Sequence, residues 1–280
     1  MTQRSLSDKE IQQYEEHGVV LVRQAVDEKW IDALTTVVNQ QLSAPGTWAN
    51  DSKSPASKID RMFTDRYLWR ENSTINDFIY NSGCAQLAAQ AMGSNSSRFY
   101  FDHLLVKEPG TATPTPWHQD IPYWPFTGTQ ICSVWLALTP ATVEGSSLEF
   151  VRGSHLDNKY YKAEVFGDKN SAKAWIGESQ SEAVPDINAQ RDAYDFVGWD
   201  VEPGDAIIFS AWVLHGAPGN ASSDQRRAAI STRWLGDNAT WQPHAGADPT
   251  VTQDDVCIQP GEPPHDDKVF PCIWSKSVRV

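Results

Sequence analysis

The tripeptide His118-Gln119-Asp120 places an imidazole and a carboxylate two positions apart, and a second imidazole, His215, follows 97 positions after the first. In a β-strand, successive side chains alternate between the two faces, so a strand here would point His118 and Asp120 the same way. Two imidazoles and a carboxylate can bind one face of an octahedral iron ion and leave the opposite face open. For all three to bind one ion, the fold must return a distant strand to the side of the first, as a rolled antiparallel sheet does.

Short strand-like runs surround these residues at intervals that favour a sheet fold. They are separated by Gly, Pro and Asn, which interrupt strands and form turns. The runs cover residues 98–106, 130–138, 147–151, 206–209, 213–215 and 228–234. Several short strands so spaced are typical of a sandwich or a barrel. We therefore predict a mainly β fold with flanking α-helices, namely a double-stranded β-helix (jelly roll, cupin-like), in which His215 closes an apolar strand.

The N-terminal third of the chain carries helical patterns instead. Ser7 and Glu10 form a capping-box pattern, and Gly18 is a natural helix end. Further on, apolar residues recur at helical spacing, whereas one stretch is rich in Pro, Gly, Ser and Asn. The predicted segments are a helix that ends near Gly18, a strand over 19–22, a helix over 27–42, a surface loop over 44–56 and a single helix over 75–92.

A chain of 280 residues can bury a sizeable core within one domain. The long segment between two core strands carries scattered aromatic residues, which fit either a lid over a pocket or a purely structural excursion. We predict one domain over 1–280, with N-terminal helices over about 5–92, a jelly-roll core over about 98–240, an insertion over 157–199 and an irregular tail over 241–280.

The charge balance and the cysteines restrict the partners and the compartment. Thirty-six acidic residues against 23 basic ones give a net charge of -13, which opposes binding to nucleic acid and to anionic membranes. No apolar run is long enough to cross a bilayer, and the first residues lack a signal-peptide pattern. Cys84, Cys132, Cys257 and Cys272 form no C-x-x-C pair and are expected to be free thiols. We therefore expect a cytoplasmic protein with neither nucleic acid nor membrane as a partner.

Longer stretches around the metal motif carry a resemblance to a known family. They are residues 102–110, 117–125 (WHQDIPYWP), 134–138 and 148–155, together with the regions of His215 and Arg227. Over about residues 5–240 the chain resembles the phytanoyl-CoA dioxygenase family of iron(II)- and 2-oxoglutarate-dependent oxygenases. Two positions depart from the family pattern: Arg152 stands where Pro is frequent, and Ser146 stands where Gly is frequent. Both lie on a connecting turn and leave the metal motif intact.

The resemblance implies iron(II), 2-oxoglutarate and dioxygen as cofactors, with ascorbate as a candidate reductant. The free carboxylate of 2-oxoglutarate needs a cation, and an arginine fork binds a carboxylate through two charge-assisted hydrogen bonds. Strand parity and the family pattern favour Arg227 for this role, with Arg226 as the fallback. The family pattern also puts Trp135 beside the cosubstrate and Lys107 or His103 on a neighbouring strand. A core tryptophan, a solvated lysine and a core histidine are the alternative interpretations of these three.

The carboxylate of Asp120 also bears on the reaction. Iron halogenases of this family replace the carboxylate with a small residue, so its presence here favours hydroxylation, with desaturation, epoxidation or rearrangement left open. Twelve tryptophans, several near the metal motifs, favour a hydrophobic pocket for a small, largely apolar specialised metabolite. Tyr123 and Trp212 are the predicted substrate contacts. A coenzyme A thioester would need a basic docking patch, and no Lys/Arg cluster stands out.

Two other classes of function fit parts of the pattern. A metal-binding jelly roll acting as a sensor would keep His118, Asp120 and His215 but would not require Arg227. A zinc-dependent hydrolase would use a metal-bound water as its nucleophile, and the sequence nominates no general base beside it. The expected partner is a small organic substrate, and a homodimer is left open.

Overall fold

Antiparallel strands build most of the fold in a computed structural model that describes residues 4–53, 60–163 and 181–276. In chain order the strands are β1 (Val19–Val22), β2 (Asn50–Lys53), β3 (Arg61–Arg66), β4 (Ser96–Lys107), β5 (Thr115–His118), β6 (Phe126–Thr127), β7 (Ile131–Ala137), β8 (Glu149–Val151), β9 (Phe196–Gly198), β10 (Ala206–Ser210), β11 (His215–Ala217), β12 (Arg227–Leu235), β13 (Thr240–Trp241) and β14 (Cys272–Ser275). Within these described residues four α-helices accompany the strands: α1 (Asp8–His17), α2 (Glu28–Ser43), α3 (Ser73–Asn81) and α4 (Cys84–Ala91). The predicted mainly β jelly roll is confirmed.

Two sheets face each other across the core. The larger sheet runs in the order β1-β10-β7-β12-β4-β3-β2, with β14 also paired to β4, and the smaller runs β5-β11-β8-β9. Because side chains alternate along a strand, β12 sends Ala229 toward the smaller sheet and Ile230 toward the helices. The inner face packs residues such as Trp135 and Ile207 against Phe150 of the smaller sheet. The metal motifs therefore lie where two buried sheet faces meet.

The helices cover the outer face of the larger sheet. The predicted capping box starts α1, and Gly18 ends it in a left-handed conformation. Along α2, buried residues at helical spacing, such as Trp30 and Leu34, pack into the same cluster as Ile230. The single helix predicted over 75–92 is wrong, since Gly83 at φ 89° separates α3 from α4. A left-handed residue interrupts helical backbone, and glycine adopts that conformation without a side-chain clash.

Further segments differ from their predictions. Residues 50–53 of the predicted surface loop form strand β2 against β3, and residues 54–56 lie outside the described part of the chain. Strand β9 lies within the predicted insertion and pairs with β8. The tail is not wholly irregular, because β14 pairs with β4. Each of these strands is short, and β9 and β14 pair with strands that lie far away in sequence, which local periodicity does not reveal.

Neither a membrane span nor a disulfide is found in the described residues. None of their helices combines the length and the apolar character needed to span a bilayer. All four cysteines are free: Cys84 and Cys132 are buried, and Cys257 and Cys272 are exposed.

Candidate metal centre

Two neighbouring strands of the smaller sheet bring the two histidines together. His118 is the last residue of β5, and His215 is the first residue of β11. The two are direct partners in the antiparallel register, and their ring centroids lie 4.1 Å apart. The expectation that His215 closes the strand over 206–209 is wrong, because that run is β10 of the larger sheet. After β10 the chain passes from the larger sheet to the smaller one, where β11 begins at His215. This passage places His215 beside His118 on β5.

Asp120 reaches the histidines by a route that strand alternation did not predict. Strand β5 ends at His118, and Asp120 has helical backbone angles (φ -76°, ψ -35°) at the start of a 3-10 turn, Ile121–Tyr123. The backbone N–H groups of Asp120 and Ile121 both donate to the carbonyl of Ala211, each at 3.0 Å. This carbonyl, immediately after β10, holds the turn in place. The geometry therefore comes from a turn fixed by a neighbouring strand, not from a continuous strand.

The three side chains form a compact and buried donor set. One donor atom from each lies within 4.8 Å of the others, and the Nε2 atoms of His118 and His215 lie 3.6 and 3.9 Å from Oδ1 of Asp120. The Nδ1 atoms face the backbone carbonyls of Pro116 and Val213, at 2.8 and 3.1 Å. A proton on Nδ1 that donates to a carbonyl leaves the Nε2 lone pair free for a metal. The donor set and the histidine orientation therefore fit an iron ion, which would lie beside Oδ1.

The second oxygen of Asp120 is held by neighbours. Ser133 on β7 donates its hydroxyl to Oδ2 at 2.8 Å, and Nε of Arg233 on β12 lies 3.7 Å from the same oxygen. Burial alone would raise the pKa of Asp120, but the charge of Arg233 holds it well below its usual range. Burial, and then the nearby His118, lower the pKa of His215 to about 3. The centre therefore presents one carboxylate and a neutral His215, the protonation states that ligate metals.

Arg226 and Arg227 point to opposite sides of β12. Arg226 faces outward, where it pairs with Glu108 at 2.8 Å and donates to the side chain of Asn39 at 2.9 Å. Arg227 is 4% exposed on the inner face and donates to the carbonyl of Leu105 at 3.1 Å. Consecutive strand residues alternate in this way. Only Arg227 of the two points toward the interior where the metal cluster lies.

Lys107 and Ser146 surround Arg227. Lys107 is its direct partner on β4, is fully buried, and donates from Nζ to the carbonyl of Pro218 at 2.7 Å. Burial, and then the adjacent Arg227, lower the pKa of Lys107 to about 6. Nε and Nη2 of Arg227 both lie 3.4 Å from Oγ of Ser146. The solvated lysine considered as an alternative for Lys107 is wrong, because the side chain is enclosed.

Trp135 and His103 lie further along the same inner face. Trp135 is 2% exposed on β7, opposite Ser231 of β12 and Ile207 of β10, in the core between the sheets. His103 on β4 is the partner of Ser231 on its other side and is partly exposed. Burial, and then the charge of Arg233, lower the pKa of His103 well below its usual range. Both side chains therefore share the interior with the metal cluster.

The two predicted substrate contacts differ in position. The Tyr123 ring lies edge-on to the His118 ring, with centroids 5.9 Å apart. Trp212 directs its indole N–H to the carbonyl of Gly128 at 2.8 Å, and its ring contacts Tyr160 at 6.1 Å. Tyr123 thus contacts a histidine of the metal cluster, whereas Trp212 contacts Gln119, the residue between His118 and Asp120.

Three residues near the centre had no predicted role. Ser133 and Arg233 are partners in the β7–β12 register and both meet Asp120. Strand parity from Trp135 and Arg227 would have placed both of them on the inner face. Gln119 turns away from the metal cluster, and its Nε2 donates to the carbonyls of Lys159 and Trp212 at 3.0 and 2.8 Å. No sequence signal indicates these partners, because they lie in loops.

Comparisons with known proteins identify the family of the chain and its relatives. The sequence model of the phytanoyl-CoA dioxygenase (PhyH) family matches residues 14–228. A probable phytanoyl-CoA dioxygenase of Caenorhabditis elegans is 24% identical over 244 residues, which are 80% of this chain and 74% of that protein. Dioxygenase lolE1 of Epichloe uncinata is 24% identical over 230 residues, 80% of this chain and 81% of its own length.

Solved structures share the fold at low sequence identity. The non-haem α-ketoglutarate-dependent carbocyclase SnoK from nogalamycin biosynthesis has a TM-score of 0.71 at 21% identity, over 95% of this chain and 96% of its own. The epimerase SnoN, in complex with Fe3+, α-ketoglutarate and nogalamycin RO, has a TM-score of 0.72 at 20% identity, over 95% of this chain and 98% of its own.

Proposed function

Since the chain belongs to the phytanoyl-CoA dioxygenase family, we propose that His118, Asp120 and His215 hold the iron of an iron(II)- and 2-oxoglutarate-dependent dioxygenase that oxidises a small organic molecule. The dioxygenase activity and the cofactors follow from the family. The assignment of the residues is carried by one observation, the buried donor set in which both Nε2 atoms face Oδ1 of Asp120. Neither the sensor nor the zinc hydrolase considered above accounts for the family match.

The residues of this chain have separable tasks in the proposed reaction. Bound iron and 2-oxoglutarate supply the activation of dioxygen, with release of succinate and CO2. His118 and His215 present imidazoles whose orientation is fixed by backbone carbonyls. Ser133 donates its hydroxyl to Oδ2 of Asp120 and so leaves Oδ1, which faces both histidine Nε2 atoms, as the oxygen that would hold the metal. The buried setting excludes water from the reacting centre.

Arg227 is proposed to bind the distal carboxylate of 2-oxoglutarate. Its guanidinium lies inside the fold with Lys107 as its strand partner, so two basic groups converge at one place. Trp135 is proposed to line the same pocket from β7, and His103 from β4. We expect Arg227→Ala to weaken 2-oxoglutarate binding by about 2–4 kcal/mol, because the anion would lose its partner in a desolvated site. Arg226→Ala is the matched control and should change binding far less, since Arg226 pairs with Glu108 on the outside.

The metal assignment is tested by an anaerobic titration with Fe(II) and 2-oxoglutarate. The expected result is the weak visible charge-transfer band of the chelate, followed on admission of oxygen by formation of succinate. His118→Ala, Asp120→Ala and His215→Ala should each abolish both signals while the far-ultraviolet circular dichroism is retained. Near wild-type succinate formation in any one of the three would refute the assignment.

The substrate is proposed to be a small, largely apolar specialised metabolite. Aromatic side chains surround the metal cluster: the Tyr123 ring meets His118, and Trp124 and Phe101 pack together nearby. SnoN offers a precedent, since its structure holds nogalamycin RO together with Fe3+ and α-ketoglutarate in the same fold. Trp212 is proposed to shape the outer part of the pocket. Hydroxylation is the favoured outcome because Asp120 retains the carboxylate.

Loops of the fold are the proposed source of substrate specificity. Two segments, residues 46–69 and 160–199, are proposed to close over the pocket. Trp175, proposed to shape the pocket there, lies outside the described residues, whereas Tyr161 is buried and donates its backbone N–H to Gln119 at 3.1 Å. Tyr161→Ala should raise substrate-uncoupled consumption of 2-oxoglutarate without changing iron affinity. A cytoplasmic location and a small-molecule substrate, with neither nucleic acid nor membrane as a partner, belong to the same proposal, and a homodimer is left open.

A further inference from the structure

Arg233 is a buried cation whose hydrogen bonds are incomplete. It lies on the inner face of β12 and is 5% exposed. Its one hydrogen bond among the described residues runs from Nη1 to the hydroxyl of Ser231, and its Nε has no hydrogen-bond partner there. A guanidinium has five N–H donors and keeps its charge in proteins. A buried group of this kind is costly unless something pairs with it.

Asp120 is the nearest anion, but it does not satisfy Arg233. The Nε to Oδ2 distance of 3.7 Å is beyond a hydrogen bond. Oδ2 already accepts the hydroxyl of Ser133, and Oδ1 faces the two histidine Nε2 atoms. Once Asp120 shares its charge with a divalent ion, it compensates Arg233 still less. The free donors of Arg233 therefore remain available to another group.

A local irregularity of the sheet positions Arg233. The register between β12 and β4 pairs Thr232 with Asp102 and Trp234 with Phe99, so two β4 residues lie opposite Arg233. This is a β-bulge, a feature that redirects side chains and is frequent beside active sites. Along β12, Arg233 lies six residues from Arg227, roughly 20 Å at the rise of an extended strand. The carboxylate proposed to bind Arg227 therefore does not occupy Arg233.

Aromatic rings give the Arg233 site its shape. The guanidinium carbon lies 5.4 Å from the ring centroid of Phe101 and 5.6 Å from that of Trp124. The two rings cross at 87° and form a corner against which a flat apolar body can pack. His103 borders the corner, with its ring 6.4 Å from Phe101. The site thus combines a cation with an unsatisfied Nε donor and an apolar wall, next to the carboxylate of the metal cluster.

We propose that Arg233 binds a carboxylate of the organic substrate while the rings of Phe101 and Trp124 pack against its apolar body. The substrate class is then a ring-containing carboxylic acid, because a carboxylate matches the planar arginine fork and supplies the missing charge. This inference rests on the proposed function, since it places the substrate beside the iron held by Asp120. Arg233 is a specificity-determining residue in this view.

The test compares carboxylates with their neutral amides. Benzoate and benzamide, and 2-naphthoate and 2-naphthamide, are titrated anaerobically into the enzyme loaded with Fe(II) and saturating 2-oxoglutarate. Binding is followed by calorimetry, and the retained charge-transfer band shows that 2-oxoglutarate has not been displaced. In the wild type at least one carboxylate should bind at least about tenfold more tightly than its amide, as expected for hydrogen bonds to a charged donor.

Variants of Arg233 test whether this residue causes the preference for carboxylates over amides. Arg233→Gln should abolish the difference between carboxylate and amide, and Arg233→Lys should retain part of it because the charge persists without the fork. Arg152→Gln removes an exposed arginine that pairs with Asp195 and should leave the preference unchanged. If Arg233→Gln proves unstable, the inference is still tested. The wild type can be titrated with each carboxylate and its amide, and Arg233→Lys keeps the buried charge.

Three results would overturn the inference. The first is a wild-type enzyme that binds no carboxylate of the series more tightly than its amide. The second is a preference that survives in Arg233→Gln. The third is a loss of 2-oxoglutarate binding in Arg233→Gln as large as the loss of carboxylate binding, which would make Arg233 part of the cosubstrate site. Failure of the proposed function is a separate result, because the wild type would then give no charge-transfer band before any probe is added.

Discussion

Lys107 makes the proposed cosubstrate site sensitive to pH. Burial, and then Arg227, lower its pKa from 10.5 to about 6, so the lysine of the unliganded folded protein is neutral at pH 8, whereas an unfolded chain keeps it protonated. Between those two pKa values the unfolded state binds more protons, so the Lys107 contribution to stability rises with pH from about 6 to 10.5. Below this window the buried charge destabilises the fold.

Binding of 2-oxoglutarate should therefore take up a proton. The distal carboxylate would favour the charged form of Lys107 and raise its pKa, so that up to about one proton is bound per 2-oxoglutarate at pH 8. Calorimetry in two buffers of different ionisation enthalpy measures this number directly. Lys107→Met should bind 2-oxoglutarate without proton uptake, and proton-neutral binding by the wild type would remove Lys107 from the site.

Ser146, which contacts Arg227, has a strained backbone conformation. Its φ of 82° lies in the left-handed region, where a residue with a Cβ is strained. The hydroxyl donates to the carbonyl of Pro218 at 3.0 Å and lies 3.4 Å from two nitrogens of Arg227. The departure from the glycine frequent in the family thus places a hydrogen-bonding group against the proposed anchor.

Ser146→Gly should separate stability from binding. The unfolding free energy should rise by about 1 kcal/mol, because glycine adopts a positive φ without strain. Affinity for 2-oxoglutarate should fall by about three- to tenfold, because Arg227 loses a polar neighbour. Ser146→Ala is the matched control: it keeps the Cβ at positive φ and should lose affinity without gaining stability. Denaturant unfolding and calorimetry on both variants decide the outcome, and equal stability of the two would contradict the strain argument.

At the scale of elements, the strands with a clear run of apolar residues could be predicted from the sequence, whereas the connections between them could not. The sequence predicts β4, β7, β10 and β12 because their apolar residues mark buried strands. It also predicts the donor set, since residue type and spacing suffice for that. It does not predict that Asp120 lies on a turn held by the carbonyl of Ala211, because the partner belongs to another sheet. Tertiary hydrogen bonds decide such positions.

Gln119 is the clearest case of a connection that only the fold reveals. It is 1% exposed, it donates to the carbonyls of Lys159 and Trp212, and it accepts the backbone N–H of Tyr161. One side chain thus joins the metal-bearing turn to the start of the predicted insertion and to the turn before β11. We therefore expect movements of the loop near Tyr161 to be coupled to the metal turn through the bonds to Lys159 and Tyr161.

Gln119→Leu should loosen this loop selectively. One buried N–H and two partly buried carbonyls would lose their partner, which should lower the unfolding free energy by about 1–3 kcal/mol. Hydrogen exchange should show faster exchange of the Tyr161 amide, with little change in the amides of β12. Gln12→Leu, on the exposed face of α1, is the control and should change neither quantity. Unaltered protection at Tyr161 would show that the loop is held by other contacts.

At the scale of the whole molecule, the C-terminal segment is part of the core around the site. Trp241 and Phe270 are fully buried and pack with Phe126 in an aromatic cluster that also contains Trp124 and Phe101. The cluster continues from the tail to the rings that contact Arg233. The prediction of an irregular tail therefore misses the contribution of this segment to the core. Prolines limit regular secondary structure but do not prevent burial of neighbouring side chains.

The tail is also tied to the strand that borders the site. Asp248 is 3% exposed, and its carboxylate pairs with Arg66 of β3 at 2.5 Å. Its backbone N–H donates to the carbonyl of Tyr123 at 2.7 Å. The tail thus holds the 3-10 turn that carries Tyr123, whose ring meets His118. Loss of tail packing should reach the metal centre through this turn.

Phe270→Ala should for this reason affect both stability and metal binding. Removal of a fully buried phenylalanine leaves a cavity and costs about 3–5 kcal/mol. Because the cluster supports the turn after Asp120, iron affinity, measured by anaerobic titration at a temperature where the variant is folded, should also fall. Tyr80→Ala is the aromatic control: Tyr80 is 47% exposed on α3, and its loss should leave both quantities nearly unchanged. A destabilised Phe270→Ala enzyme with wild-type iron affinity would show that the tail stabilises the fold without positioning the metal centre.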